Sequence, residues 1–350
     1  MVGAKIVTPP SSVRERLGAR RSVPPNVNHG LEGEFMRRIF VTGASGQVGS
    51  DLVPALRQRY GNENVLATDI REPGGNLART GPFEIVDCTD HDAMDRAVAD
   101  FGTDTIYHMA AILSAVGEAD PHRAYTVNLG GLENTLEIAR VRECAVFIPS
   151  SIAAFGPSTP PDPTPQVTIQ RPTTIYGVTK VAGELLADYF NLRFGVDTRG
   201  VRYPGLISWV TEPGGGTTDY AVEIFYKAIQ DGRYTCFLGP DTQLDMMYMP
   251  DAIKASIDIM EADPSRLENR NAFNIAAMQF TPEELAAAIR GHIPSFEMDY
   301  AVDPLRQAIA DSWPRRLDDS AARKEWDWQP DYDLEAMVED MLENLRKKLA

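Results

Sequence analysis

The sequence predicts an α/β fold: a mostly parallel sheet with helices on both faces, followed by a smaller, less regular C-terminal part. Three observations carry this expectation. Short β-branched runs alternate with amphipathic stretches from Arg38 to Tyr203. Glycines at 43, 46 and 49 separate the first run from the first amphipathic stretch. An acid, Asp69, closes the second run.

The elements follow in order. Residues 38–42 are β-branched and apolar, and 47–60 are amphipathic, so a strand leads through the glycine loop into a helix. Residues 65–69 and 83–87 read as the second and third strands, 92–101 as a helix and 105–110 as the fourth strand. A long helix is expected over 121–141, a fifth strand over 145–150, a helix over 174–194 and a sixth strand over 197–203. Parallel strands need crossovers, and the intervening helices supply them. After Pro204-Gly205 the regularity loosens, and Gly214-Gly215-Gly216 interrupts the chain. Helices are expected over 219–230 and 250–262, a strand over 272–276, and a helix over 281–290 with Thr281 as its cap and Pro282 at its first position. The last helix, 334–349, carries Leu334, Met337, Met341, Leu342 and Leu345 on one stripe.

Composition narrows the function. The chain has 350 residues, 43% hydrophobic and 24% charged, which suits a globular protein with its own core. No apolar run approaches the roughly 20 residues of a membrane-spanning helix. Net charge is −16, with +2 on residues 1–35 and −18 on the rest. A body that acidic repels polyanions, so nucleic-acid binding is not expected. Three cysteines (Cys88, Cys144, Cys236) do not make a disulfide framework, and no His/Cys pair has metal-ligand spacing, so no metal is expected. Residues 1–35 stand apart. Arg14, Arg16, Arg20 and Arg21 with few acids fit a mitochondrial presequence; a flexible leader, with Met36 as an alternative start or vector-derived residues in front, fits as well. The expected location is the mitochondrial matrix in the first case and the cytoplasm in the second.

The glycine loop has a physical reading. Gly43 permits the tight turn, Gly46 admits a pyrophosphate close to backbone, and Gly49 lets helix and strand pack. Phosphates then meet free N–H groups at the helix start, around Gln47 and Val48. This is the pattern of a Rossmann-type dinucleotide-binding fold. Asp69 is placed to accept from adenosine ribose hydroxyls. Two like charges ~4 Å apart at an effective dielectric near 20 cost about 4 kcal/mol, so Asp69 disfavours a 2′-phosphate and favours NAD over NADP. Asp87 is placed either to accept from adenine or to close a strand-end turn.

Tyr176 and Lys180, four residues apart on an expected helix, share one face. A free phenol titrates near 10, so a base active at about 7 needs ~4 kcal/mol of phenolate stabilisation. Lys180 and a cationic nicotinamide ring are expected to supply it. Ser151, after the fifth strand, is expected to orient a substrate hydroxyl.

Together the glycine loop, Asp69, His108-Met109-Ala110-Ala111, Ser151 and the Tyr176/Lys180 pair resemble the extended short-chain dehydrogenase/reductase superfamily. Four later segments are similar to the NAD-dependent L-threonine 3-dehydrogenases within it: 214–221, Met246-Met247-Tyr248-Met249-Pro250-Asp251, Ser312-Trp313-Pro314, and 318–323. The resemblance implies oxidation of L-threonine to 2-amino-3-oxobutanoate with NAD as hydride acceptor. It implies Tyr176 as general base, Lys180 as its electrostatic partner and ribose ligand, and Ser151 as the orienting hydroxyl. Gly43, Gly46, Gln47, Val48, Asp69, Asp87, Met109, Ala110, Ala111, Asn128 and Tyr203 are the further implied cofactor contacts. Ser114, Thr217, Thr218 and Asp219 are the implied substrate contacts, and a helix cap is the other reading of Thr217–Asp219. Residues 36–205 are expected to form the dinucleotide-binding domain. Residues 206–350 are expected to form mostly a substrate-binding subdomain, with parts of 240–278 returning to the first. A homodimer through helices 121–141 and 174–194 is expected by resemblance. Two departures matter: the leader has no counterpart, and Leu244 stands where nucleotide-sugar relatives carry an arginine. A nucleotide-sugar epimerase or dehydratase, and a non-catalytic NAD sensor, are the alternatives.

Overall fold

The computed structural model describes residues 36–73, 77–212 and 216–350. The expected presequence and Gly214-Gly215 lie outside the described residues.

The first strand β1 (Ile39–Thr42) is buried along its whole length, as β-branched and aromatic residues in a doubly covered parallel sheet should be. Helix α1 (Gly49–Tyr60) leads to β2 (Val65–Asp69) and β3 (Phe83–Ile85). Asp90 caps α2 (His91–Phe101), which returns to β4 (Thr105–His108). Next come α3 (Ser114–Ala119), α4 (Pro121–Tyr125) and α5 (Gly131–Arg142). The chain continues through β5 (Ala145–Phe147), β6 (Ser150–Ser151), α6 (Ile175–Phe194), β7 (Thr198–Arg199) and β8 (Val201–Tyr203). The sheet order is β3-β2-β1-β4-β5-β7, every pair parallel.

Three expected elements are interrupted. The strand expected over 145–150 stops at Phe147, and β6 begins only at Ser150; the other two break for a local reason. The expected strand over 197–203 divides at Gly200. A Cβ there would lie 2.0 Å from the Ile148 carbonyl oxygen, so the two backbones touch and the ladder shifts partners. Beyond that point β8 pairs in parallel with β6. The expected helix over 121–141 contains a π-turn, Thr126–Gly130, between α4 and α5. Such a turn inserts one residue and re-aims a side chain; here Asn128 is turned inward.

The C-terminal half adds β9 (Gly205–Ile207), α7 (Tyr220–Gln230), β10 (Arg233–Cys236), β11 (Leu244–Tyr248) and α8 (Met249–Glu261). Then follow β12 (Phe273–Asn274), β13 (Met278–Phe280), α9 (Pro282–His292) and β14 (Glu297–Tyr300). Helices α10 (Pro304–Asp311), α11 (Ser320–Trp326) and α12 (Leu334–Leu349) complete the chain. Strands β13, β11 and β9 form one small sheet, β10 and β14 another. Thr281 caps α9 through a full capping box with Glu284.

One hydrophobic cluster joins β1, β2 and α1 to α8, Trp326 and Trp328. A second gathers α7, α9, α12 and strand β11. Strand β12 pairs in parallel with β8 and completes a separate three-stranded sheet, β12-β8-β6.

Candidate active site

The glycine loop is built by close contact. Gly43 has φ +62°, and a Cβ on it would lie 2.7 Å from the Ala110 nitrogen. At Gly49 a Cβ would lie 2.3 Å from the Gly43 carbonyl oxygen, so helix and strand meet only because it is glycine. Ala110 N–H donates to Thr42 Oγ1 (3.1 Å), which ties the Met109-Ala110-Ala111 segment to the loop. Val48 stands at the start of α1, and no side chain caps the helix there. Asp69 is buried at the tip of β2; its Oδ2 accepts from Ser45 N–H at 3.0 Å. Arg71 lies 3.8 Å from Asp69 Oδ1 with its side chain mostly in solvent. Asp87 uses Oδ1 for the turn, accepting from Thr89 N–H (2.9 Å) and Oγ1–H (2.8 Å).

Helix α6 starts at Thr174, whose Oγ1 accepts from Gly177 N–H at 3.1 Å. Gly177 then seats the first turn against the 152–154 turn; a Cβ there would lie 2.1 Å from the Ala153 carbonyl oxygen. This brings Tyr176 close enough to Ser151 for that hydroxyl to act on the phenol. Ser151 Oγ accepts from Ala153 N–H (3.2 Å). Lys180 Nζ donates to the Pro149 carbonyl (2.7 Å) and stands 5.4 Å from the centre of the Tyr176 ring. Ser151, Tyr176 and Lys180 therefore form one cluster at the ends of β6 and α6.

Burial pushes the Tyr176 phenol up to about 12, and the Ser151 hydroxyl only partly opposes it. Burial also brings the Lys180 ammonium down to about 8, with Glu184 opposing. Desolvation of the phenolate outweighs what these side chains supply. The protein alone does not lower this phenol.

Two expected cofactor contacts have other tasks. Tyr203 turns its hydroxyl into the core, hydrogen-bonded to Ser256 Oγ, because its ring packs in the first hydrophobic cluster. Asn128 uses its amide internally: Oδ1 accepts from Ile112 N–H (2.7 Å), and Nδ2 donates to Ile112 O (3.0 Å) and Thr179 Oγ1 (3.1 Å). It clamps the segment after Ala111 to α6. Among the expected substrate contacts, Ser114 opens α3, part-buried. Thr217 and Asp219 are buried before α7. Asp219 Oδ2 accepts from Gly216 N–H (2.7 Å), closing a turn rather than capping α7. Thr218 packs on Gly205 of β9.

Sequence reasoning missed the support behind the cluster. Glu184, four residues beyond Lys180, is buried and ion-paired with Arg202 at 2.8 Å. It accepts from Ser150 Oγ and from Gln170 Nε2 (2.7 Å). The spacing 176, 180, 184 was the available signal. Asp51, in the first turn of α1, accepts from Ser208 Oγ at 3.3 Å, and burial pushes its carboxyl up to about 6.

A sequence model described as the NAD dependent epimerase/dehydratase family matches residues 39–276. The chain belongs to this family. An uncharacterised epimerase/dehydratase of Staphylococcus haemolyticus is 57% identical over 314 residues, covering 89% of this chain and 99% of the relative. Among solved structures, the L-threonine dehydrogenase of Clostridium difficile is 53% identical with TM-score 0.89, covering 90% of this chain and 99% of that one. A metagenomic L-threonine 3-dehydrogenase, described as monomeric, is 44% identical with TM-score 0.85, covering 89% and 100%. The chain is an NAD-dependent enzyme of this family with its Rossmann-type sheet. The glycine cradle, the uncapped start of α1 and the buried carboxylate of Asp69 fit that dinucleotide.

Proposed function

We propose that the enzyme oxidises L-threonine to 2-amino-3-oxobutanoate. The likeness to threonine dehydrogenases over nine-tenths of the chain is the observation that carries this reading. NAD, when bound, accepts the hydride from the β-carbon and places a positive ring beside Tyr176. The phenolate of Tyr176 takes the β-hydroxyl proton, and Ser151 holds that hydroxyl. Lys180 keeps a positive charge beneath the ring and binds ribose. Gly43, Gly46, Gln47, Val48 and Asp69 hold the pyrophosphate and adenosine ribose, with Met109, Ala110 and Ala111 along the cleft and Asp87 near adenine. Thr217, Thr218 and Ser114 suit the substrate carboxylate, and Asp219 its ammonium. Leu244 is fully buried in the second core, so that position offers no charge to a sugar diphosphate.

The test is direct. The purified protein should raise NADH absorbance with L-threonine. Absence of a rise, with a UDP-sugar competing for the site, would favour the epimerase chemistry in the family's description. We further propose a homodimer through α4, α5 and α6; the monomeric relative makes this a property to measure.

A further inference from the structure

Helix α3 and the residues before it are tied to α6 at two points that bracket the site. Ahead of Ser114, the Ile112 backbone is held by Asn128, which also donates to Thr179 Oγ1 on α6 (3.1 Å). Beyond Ser114, Glu118 Oε1 accepts from the Ile175 N–H at 2.7 Å. Along α6 the two ties fall at 175 and 179, and Tyr176 lies between them. Along the facing segment they fall at 112 and 118, and Ser114 lies between them.

A helix of six residues whose Leu113 offers no side-chain cap does not hold its own place, so the position of α3 comes from what it touches. Gly117 is buried at that contact. A Cβ on it would lie 3.3 Å from both Ile175 Cγ2 and Ala124 Cβ, so α3 packs closely on the first turn of α6 and on α4. The first N–H groups of α6 have no partner within the helix. Thr174 takes the one from Gly177, and Glu118 takes the one from Ile175. The first turn of α6 carries no acid of its own, so the Glu118 carboxylate also meets the positive end of that helix.

We propose that Glu118 is a positioning residue: its carboxylate keys α3 to the first turn of α6 and so sets the spacing between the Ser114 hydroxyl and the Tyr176 phenol across the substrate. The role in the reaction rests on reading Ser114 as a substrate contact and Tyr176 as the base; the docking of α3 by Glu118 does not. Tyr176 has further support from the Thr174 cap and from Gly177, seated on the 152–154 turn. Loss of Glu118 therefore releases Ser114 more than Tyr176, and the effect falls on substrate binding rather than on the chemical step. Glu118 is exposed and water competes for the N–H, so the effect is several-fold and not a thousandfold.

A double-mutant cycle in the full chain, at saturating NAD, tests this. Glu118→Ala should raise KM for L-threonine about fivefold, with kcat changed by less than about twofold and NAD affinity unmoved. Glu118→Gln keeps a carbonyl acceptor at the same reach and should recover most of that loss. In a Ser114→Ala background the Glu118→Ala step should cost less than about twofold in KM, because the group it positions is gone. Equal costs in the two backgrounds, or a Glu118→Ala KM within about twofold of the parent value, overturn the positioning role. Hydrogen exchange read by mass spectrometry gives a second measure that needs no turnover. In the NAD complex Glu118→Ala should speed exchange across residues 112–119 and leave 180–194 as in the parent. Unchanged exchange across 112–119 overturns the docking of α3 by Glu118. A parent protein inert towards L-threonine overturns the substrate reading instead, and the exchange result then decides this one.

Discussion

At Tyr176 two effects oppose each other, and their balance sets the chemistry. Burial pushes the phenol up to about 12, so at neutral pH it is protonated until another positive charge arrives. Lys180 is already weakened to about 8 by the same burial. Under the proposed mechanism, the ring charge of bound NAD would complete the activation of the base. An absorbance titration without NAD should show no Tyr176 phenolate at neutral pH, judged against Tyr176→Phe. With NAD the same difference spectrum should appear at lower pH. Tyr176→Phe should lower kcat by about 10²–10⁴-fold while NAD binding persists. A substitution that leaves turnover intact would remove Tyr176 from the reaction. The residue types of this site were legible because Ser151, Tyr176, Lys180 and Asp69 sit at telling spacings along strand ends and one helix face. The direction of the phenol's shift was not legible. Desolvation depends on what the fold stacks over a group, and no local spacing records that.

The elements show the same division. Long amphipathic helices declared themselves by period, and β1 and β2 by short runs of β-branched and apolar residues. Strands β9, β11 and β13 did not, because three to five buried residues hold too few turns of any period to read. The π-turn was hidden for a different reason: Thr126–Gly130 keeps helical composition, and only the tertiary bonds of Asn128 favour the extra residue. The loop–α1 junction was read correctly as a glycine device, and the contacts now rank its members. A Cβ at Gly49 would meet backbone at 2.3 Å, whereas at Gly46 the nearest atom is 3.1 Å away. Gly49→Ala should thus force α1 off β1, lowering Tm and abolishing NAD binding. Gly46→Ala should keep Tm within a few degrees and weaken NAD alone. Calorimetric titration with NAD beside a thermal melt separates the two outcomes, and equal effects from both would mean that the loop has slack.

For the whole molecule, the acidic body, the two hydrophobic clusters and the exposed stripe on α6 determine what holds it together. Val178, Leu185, Tyr189 and Leu192 are exposed at spacings of 7, 4 and 3, one seam along the helix, with Leu192 86% exposed. If the proposed homodimer forms there, Leu185→Glu with Leu192→Glu should yield monomers by light scattering; a wild-type protein already monomeric at micromolar concentration would refute the seam. Within one chain, Asp245 on β11 joins the C-terminal segment to the small sheet. Its carboxylate accepts from Leu317 N–H (2.7 Å) and Gln279 Nε2 (3.0 Å) and is fully buried. Burial is the largest influence and raises the carboxyl to about 7, with Asp319 adding to it. The folded state therefore holds this proton more tightly than the unfolded chain, where an aspartic acid titrates near 3.9. The stabilisation is fully present below about 4 and is lost as pH rises towards 7. Asn at 245 mimics the protonated form, since the Gln279 amide can turn to offer its oxygen to the new N–H₂. Asp245→Asn should match the parent near pH 4 and exceed it at pH 8 by a Tm difference on the order of a few °C. Parallel melting curves from pH 4 to 8 that keep a constant offset would show that Asp245 stays ionised throughout and that the carboxylate, not the acid, is the form the fold is built around.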